Sequence, residues 1–547
     1  MNIVGAICAD FERAPCGLPA QLNTPVAGRP LIAHTLRRVA QVEGLAARCV
    51  FVRARDRDAA AAAVQAAGLA DKFELLPIDS GARPRATLLT AARKWNLESW
   101  RGGLLGATWF DEFVDPPAVA AVLNHYRCDG VLCIEGHQPA LDPAIATAML
   151  RHASASRERS KLTFTQAPPG LAGILLRREC LEDLLEYRIP LGLTLSYRPE
   201  LAQTDPIVHE ACYHVDPAVA QTAARLLGDT RRSRALLDAA FRELGEDASA
   251  GTLCGWLRQP GHDRGGALPV ELEVELTTAD PLPNTKLRPR GARVPKREIL
   301  DFQALARVID QLSEYDDRLV YLGGHGDPLQ HPKFAEACRT VRSAGIFGLA
   351  VGTPLVDLTE GTLAALFENE VDVLEVFLDA HTPETYRQVH GADEFERVQA
   401  NIARLEAVRR AQHRPRPIIA CSITRCAATH ADVEAFYDHW LRQSGAAVIR
   451  GYRQHAGCLP PDTLLPTCSA ERRPCRRLAS RLLLLADGRA VACDEDPAGG
   501  TCLGNWCTES LRTIWGGRSR ANLLQAHADA DLKALPTCRT CQEWNRP

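Results

Sequence analysis

CRRLASRLLLLADGRAVACDED, residues 475–496, carries a cysteine near each end of one apolar hairpin. Leu482–Ala486 reads as a strand, Asp487-Gly488 as a tight turn, and the residues from Arg489 as a second strand that delivers Cys493. Twelve residues, a glycine and four more residues separate Cys475 from Cys493, and 44 residues further on comes Cys538-Arg-Thr-Cys541. Two cysteines on a hairpin and two on a short CxxC loop can converge on one centre. Cys475, Cys493, Cys538 and Cys541 are therefore the expected metal ligands. Four thiolates suit either tetrahedral zinc or an iron–sulfur cluster.

The surrounding composition supports metal chemistry. Of 19 cysteines, ten fall from Cys421 onward. In a reducing cytosol such a cluster argues for metal ligands over disulfides. Earlier ones such as Cys49 and Cys133 stand among aliphatics and read as buried thiols. With 547 residues the chain exceeds one hydrophobic core, so two or three domains are expected. A net charge of −3 with 24% charged residues offers no basic face for nucleic acid. The opening MNIVGAICADFERAP has acids close behind a short apolar run and no basic stretch before it, so no signal peptide is expected. Apolar runs such as Leu482–Ala486 fall far short of the roughly 18 residues of a membrane span. The expected location is cytoplasmic.

Upstream, residues 1–254 alternate strands with amphipathic helices. Asn2–Cys8 is a strand, Pro30–Val42 a helix and Ala47–Val52 a second strand, a βαβ opening that implies a mostly parallel sheet. Residues 255–269, rich in Gly, Pro and charge, read as a linker. From Val270 six strands follow: Glu271–Leu276, Leu319–Leu322, Gly348–Val351, Val373–Leu378, Ile418–Ile423 and Ala447–Ile449. After the first, Phe302, Leu305, Val308, Ile309 and Leu312 form one helical stripe behind Asp301, an N-cap. The series predicts an α/β fold whose residues 270–457 form a parallel partial barrel, with functional groups at the strands' C-terminal ends. Residues 458–547 form a small cysteine-rich domain.

The Cys-x12-Gly-x4-Cys hairpin, LGNWCTESLRTIW (503–515) and the CxxC resemble the SPASM domain that follows many radical SAM barrels. The barrel carries matching segments: GGHGDPLQHP (323–332), VFLDAHTPETYRQVHG (376–391) and PIIACSITRCAATHADVEAFYDHW (417–440). The resemblance implies one auxiliary [4Fe–4S] cluster on the four cysteines, with Cys458, Cys468, Cys502 and Cys507 as spare ligands. It also implies a residual S-adenosylmethionine site at Gly323, Gly324 and Asp327. The family's first strand runs into CxxxCxxC, which holds the catalytic cluster. Here ELTTADPLPNTKL (275–287) puts Asp280, Asn284 and Leu287 at the cysteine positions. A carboxylate and an amide are hard ligands and leucine is none, so the resemblance implies a retained barrel whose radical chemistry is gone. Asp327 in place of Glu, Leu378 in place of Ser, and Gly352-Thr353-Pro354 in place of TNG agree with that loss.

LPAQLNTPVAGRPLIAHTLRRV, residues 18–39, resembles the opening of Rossmann-like GT-A nucleotidyltransferases that activate sugars. Leu18-Pro19 and Gly28-Arg29-Pro30-Leu31 are kept, but Gln21 stands at the phosphate-binding lysine position. The strand ending in the magnesium-binding Gly-Asp is assigned to residues 103–112, where Ala107 follows Gly106. Asp111 is then the shifted carboxylate and Arg13 the substitute cation, so Arg13, Gln21 and Asp111 mark a residual nucleotide-type site. Thr165, Gln166 and Pro168–Gly170, in a segment similar to the acceptor side of such domains, are candidate pocket residues or a plain turn.

The whole is similar to spiro-SPASM-like proteins, in which such a domain precedes the barrel. The resemblance implies an iron–sulfur protein that binds a partner or relays electrons through its one cluster. S-adenosylmethionine and magnesium are left without their principal ligands. Enzymatic modification of sugar nucleotides or surface glycans is the alternative, and a radical enzyme with atypical ligation the third. A protein, a peptide or a sugar nucleotide is the expected partner, and neither nucleic acid nor a membrane span is expected.

Overall fold

The computed structural model describes residues 1–78, 84–155, 160–196, 205–259, 266–299, 301–464 and 472–544. The chain separates into two compact units, Met1–Arg264 and Gly265–Pro547. The boundary falls within the expected linker, whose residues 260–265 lie outside the described ones.

Unit 1 is built on a six-stranded sheet. Its strands are β1 (Ile3–Cys8), β2 (Ala47–Val52), β3 (Glu74–Pro77), β4 (Gly130–Glu135), β5 (Leu162–Thr163) and β6 (Ile174–Arg177). The spatial order is β3-β2-β1-β4-β6-β5. β2 and β4 flank β1 in parallel, β3 runs parallel to β2, and β6 turns antiparallel against β4. IVGAIC and GVLCIE are buried at every residue, as expected of central strands covered on both faces. The helix Leu31–Ala40 packs Leu31, Ile32, Leu36 and Val39 into one of the two cores around this sheet.

One sequence assignment fails here. Residues 103–112 form no strand; they hold two short 3-10 turns, Leu104–Gly106 and Trp109–Glu112. Opposite β2, the strand beside β1 is β4, and it runs into Gly136-His137. Residues 103–112 carry a Gly-Xaa pair in a glycine-rich stretch, but parallel pairing follows the continuous apolar run Val131–Ile134 instead.

Unit 2 contains β7 (Glu271–Glu275), β8 (Leu319–Gly323), β9 (Gly348–Thr353), β10 (Val373–Phe377), β11 (Ile418–Arg425) and β12 (Ala447–Gly451). These six strands pair in sequence order, each parallel to the next, as the partial barrel requires. β13 (Arg481–Leu484), β14 (Arg489–Val491) and β15 (Cys502–Asn505) continue the same sheet, with β13 parallel to β7. The cysteine-rich segment is thus joined to the barrel edge through a shared ladder. A single core runs from the barrel helices to Leu482, Leu484, Trp506, Ile514 and Trp515.

Alternation along β7 separates two environments. Leu272 and Val274 enter the helix-covered core with Leu305, Val308 and Ile309. Glu273 and Glu275 point the other way. The Tyr321 hydroxyl of β8 donates to Glu375 of β10 at 3.4 Å, and Glu375 also pairs with Arg450 of β12. Contacts between strands two apart cross a concave face, so the barrel interior is polar. Asp301 caps its helix as expected, accepting from the Ala304 N–H at 2.8 Å.

Candidate metal centre

The hairpin that carries Cys493 turns at Gly488, whose φ of +94° is a conformation open to glycine. The Gly488 N–H donates to the Leu485 carbonyl at 3.1 Å, and the Gly488 carbonyl accepts from Trp506 at 2.9 Å. Cys493 follows two residues beyond β14. Cys475 precedes the short helix Arg477–Ser480, and the helix Pro536–Thr540 carries Cys538. Arg472 fastens the CxxC loop: its guanidinium donates to the Cys541 carbonyl at 2.8 Å and the Cys538 carbonyl at 3.0 Å, and its cationic carbon lies 5.2 Å from the Trp544 ring centroid.

Cys475, Cys493, Cys538 and Cys541 all line one cavity, together with Arg472, Arg477 and His527. Burial pushes the Cys538 thiol up to about 11, helped by neighbouring Cys475, and the Cys541 thiol up to about 12. Thiols in this environment hold their protons until a cation offsets the charge of the thiolates. Among the described residues no three His, Cys, Asp or Glu side chains close tightly enough on one point to hold a single metal ion. The donor set is four sulfurs around a shared cavity, and four thiolates suit zinc or an iron–sulfur cluster.

The spare cysteines lie elsewhere. Cys502 is exposed, the Cys458 sulfur lies 3.7 Å from the Arg293 carbonyl, and Cys507 packs beside the Gly488 turn. Cys468 lies outside the described residues. Two residues at the centre went unread in the sequence, Arg472 and His527. An isolated arginine and a single histidine on a helix carry no spacing signal.

The loop after β7 does not gather its three key positions. Asp280 pairs with Arg290 at 2.7 Å, and both side chains are almost fully buried. Asn284 is exposed. Leu287 sits in an apolar cluster with Val389, Cys426, Tyr452 and Leu459. Arg288 pairs with Asp379 at 2.6 Å, and the Thr285 hydroxyl lies 3.0 Å from His390.

Of the expected residues Gly323, Gly324 and Asp327, the two glycines pack against acids of β7. Gly324, at φ +80°, donates its N–H to Glu273 at 2.9 Å, and a Cβ there would meet the Glu275 side chain at 2.6 Å. Glu275 accepts from Arg297 at 2.7 Å and lies 2.9 Å from His325. Burial opposes its ionisation, but the hydrogen bonds from His325 and Arg297 prevail and hold it at about 2. Burial, followed by nearby Asp280, pushes Asp327 up to about 7, and its Oδ2 has no hydrogen-bond partner among the described residues.

In unit 1 a cavity of about 720 Å³ opens at the C-terminal ends of β1, β2 and β4, lined by Cys8, Asp10, Phe51, Val52 and Glu135 among others. It lies where the strand order reverses around β1, the usual ligand crevice of open α/β sheets. Arg13 lines this cavity. Gln21 and Asp111 are not among its lining residues. The Gln21 N–H donates to His137 at 3.1 Å. The Asp111 carboxylate is buried, accepting from the Thr108 N–H at 2.7 Å, the Thr108 hydroxyl at 2.9 Å and the Gly192 N–H at 3.0 Å. It therefore caps a turn, and the three expected residues do not come together. Among its lining residues Arg53 pairs with Asp10 and Glu12, and Arg55 with Glu12. Thr165 and Gly170 are buried in the same unit.

Residues 475–542 match the family model of the SPASM iron–sulfur cluster-binding domain. The protein is an α/β chain in which a domain built on a six-stranded mixed sheet and a parallel partial barrel precede the segment that matches this iron–sulfur domain. A relative from Pyrococcus furiosus, a tungsten-containing aldehyde ferredoxin oxidoreductase cofactor-modifying protein, is 30% identical over 81 residues, 15% of this chain and 22% of its own. The chain thus aligns with about a fifth of that relative's length. Among solved structures, Streptococcus suis SuiB is 10% identical over 46% of this chain and 66% of its own, with a TM-score of 0.39. A cytidylyltransferase from Leptospira borgpetersenii is 13% identical over 47% of this chain and 93% of its own, with a TM-score of 0.33. Among the described residues no helix is long and apolar enough to cross a membrane.

Proposed function

We propose that this protein is a radical SAM/SPASM-type iron–sulfur protein that relays single electrons for a protein or peptide partner through one [4Fe–4S] cluster on Cys475, Cys493, Cys538 and Cys541. The barrel, in this reading, has given up radical catalysis. The observation that carries it is a contrast within one unit. Four cysteines share one cavity, whereas Asp280, Asn284 and Leu287 go to an ion pair, to solvent and to an apolar cluster. Such a cluster, when bound, supplies reversible one-electron transfer. The residues of this chain do the rest: the four thiolates bind, Arg472 fixes the CxxC loop, and Trp544 and Leu478 limit water. Cytoplasmic residence accompanies the reading, because thiol ligands persist where thiols stay reduced.

Iron and sulfide analysis of anaerobic protein tests the centre. Four of each per chain are expected, and stoichiometric zinc without sulfide refutes the assignment. Incubation with dithionite and S-adenosylmethionine tests the barrel. No 5′-deoxyadenosine is expected above a no-enzyme control, and its formation overturns the loss of radical chemistry.

The cavity at the switch of the unit 1 sheet favours a second reading, binding of a nucleotide or sugar nucleotide with little or no transfer. Phosphoryl transfer needs cations where charge builds on the phosphates. At this cavity Arg53 and Arg55 are already paired with acids, and Gln21, at the lysine position, lies off the cavity and carries no charge. Pyrophosphate release from four nucleoside triphosphates with sugar phosphates and magnesium is the test. Sustained turnover abolished by Arg13→Ala makes sugar-nucleotide chemistry the leading function.

A further inference from the structure

His527 lies on the helix Arg518–Ala528, is only 4% exposed, and lines the cavity shared by the four cysteines. Its Nδ1 lies 3.3 Å from the backbone N–H of Cys475 and accepts that hydrogen bond. A ring nitrogen that accepts must offer a lone pair, so the hydrogen of the neutral imidazole resides on Nε2. Nε2 is buried and has no hydrogen-bond partner among the described residues. Buried donors are almost always satisfied, and one left unmatched calls for an unseen acceptor. The cavity that His527 lines offers sulfur.

We propose that His527 donates a hydrogen bond from Nε2 to a sulfur of the cluster held by Cys475, Cys493, Cys538 and Cys541, and thereby raises its reduction potential. This rests on the iron–sulfur reading given above. His527 is a positioning and tuning residue, not a ligand. A nitrogen that carries hydrogen has no lone pair for iron, and the Cys475 N–H fixes which nitrogen that is. The direction follows from charge. Reduction adds one electron, the sulfurs become more negative, and a hydrogen bond to them favours the reduced form. The contact also joins ligand and donor: one imidazole holds the Cys475 backbone through Nδ1 and has its Nε2–H left for the cluster sulfur.

The test compares wild type with His527→Phe, which fills the space without a donor, and His527→Gln, which keeps an N–H. Iron and sulfide are counted, the cluster is titrated potentiometrically, and the reduced state is examined for a magnetically coupled proton that exchanges in D₂O. All three proteins are expected to carry equal iron and sulfide. The Phe variant is expected to be about tenfold harder to reduce, a potential about 59 mV more negative for a one-electron couple. It should also lose the exchangeable coupling, and the Gln variant should recover part of both. A fully loaded Phe variant with unchanged potential or a retained coupling overturns the hydrogen bond. Loss of iron from both variants overturns it too, by making His527 part of what holds the cluster. Wild-type protein without iron and sulfide defeats the cluster reading itself and this inference with it, an outcome the iron count separates from the other two.

Discussion

The Asp280 carboxylate meets the Arg290 guanidinium at 2.7 Å, with side chains 4% and 5% exposed. This ion pair ties the loop after β7 back to Arg290, ten residues on, and gives Asp280 a structural role. Removing one partner of a buried pair strands the other charge, which typically costs about 3–5 kcal/mol. Asp280→Ala is expected to lower stability by about 3 kcal/mol in urea denaturation. A loss under 1 kcal/mol means that water already reaches Arg290.

The four cavity cysteines are expected to act as a set. Serine at Cys475, Cys493, Cys538 or Cys541 should release most of the iron and lower the melting temperature, because binding and folding are coupled. Cys502→Ser is the control, since Cys502 is exposed and off the cavity. Iron lost equally from the control would remove the distinction.

Arg472→Ala leaves every thiol in place but frees the carbonyls of Cys538 and Cys541. Partners of this kind, one shell out from a metal, are typically worth 10–100-fold in affinity. Release of iron to a chelator should therefore accelerate by at least about tenfold, and an unchanged rate shows that the CxxC loop holds itself.

Glu275 gives the barrel an acid-sensitive limb. Its folded value of about 2 lies below the ordinary glutamate value near 4, so the ionised form is the one that folding favours. The contribution, roughly 3 kcal/mol, is fully present above about pH 5 and is lost as pH falls toward 2. Denaturation midpoints measured from pH 6 to 3 should fall steeply in wild type and more gently in Glu275→Gln. Parallel profiles contradict the assignment.

Asp327 works with the opposite sign. Its folded value of about 7 lies above the ordinary aspartate value near 4, so folding favours the protonated form. Stability is lost as pH rises from about 4 through 7, by up to about 4 kcal/mol. Asp327→Asn retains an acceptor for the Leu329 N–H and carries no charge. At pH 8 it should be more stable than wild type, with the difference vanishing near pH 4. A destabilised Asn variant at pH 8 refutes this.

Local pattern was enough for the strand ladder, the Asp301 cap and the Gly488 turn. Each depends on neighbours a few residues away: the two-residue alternation of a strand, the helical repeat, or the short reach of a turn. Other features needed the folded chain. The assignment of a strand to residues 103–112 failed because sheet order is chosen by pairing across the chain, Ile3 with Gly130, and no local motif encodes it. Asp111, expected as the shifted carboxylate of a nucleotide-type site, instead accepts a hydrogen bond from Gly192, 81 residues on. At the cysteine cavity the sequence by itself supplied the four candidate sulfurs. Only the tertiary structure brought Arg472 to Cys541, 69 residues away, and His527 to Cys475, 52 residues away. Ligands share a spacing because one ion or cluster must reach them all, whereas the groups that support them can arrive from any segment whose packing ends nearby.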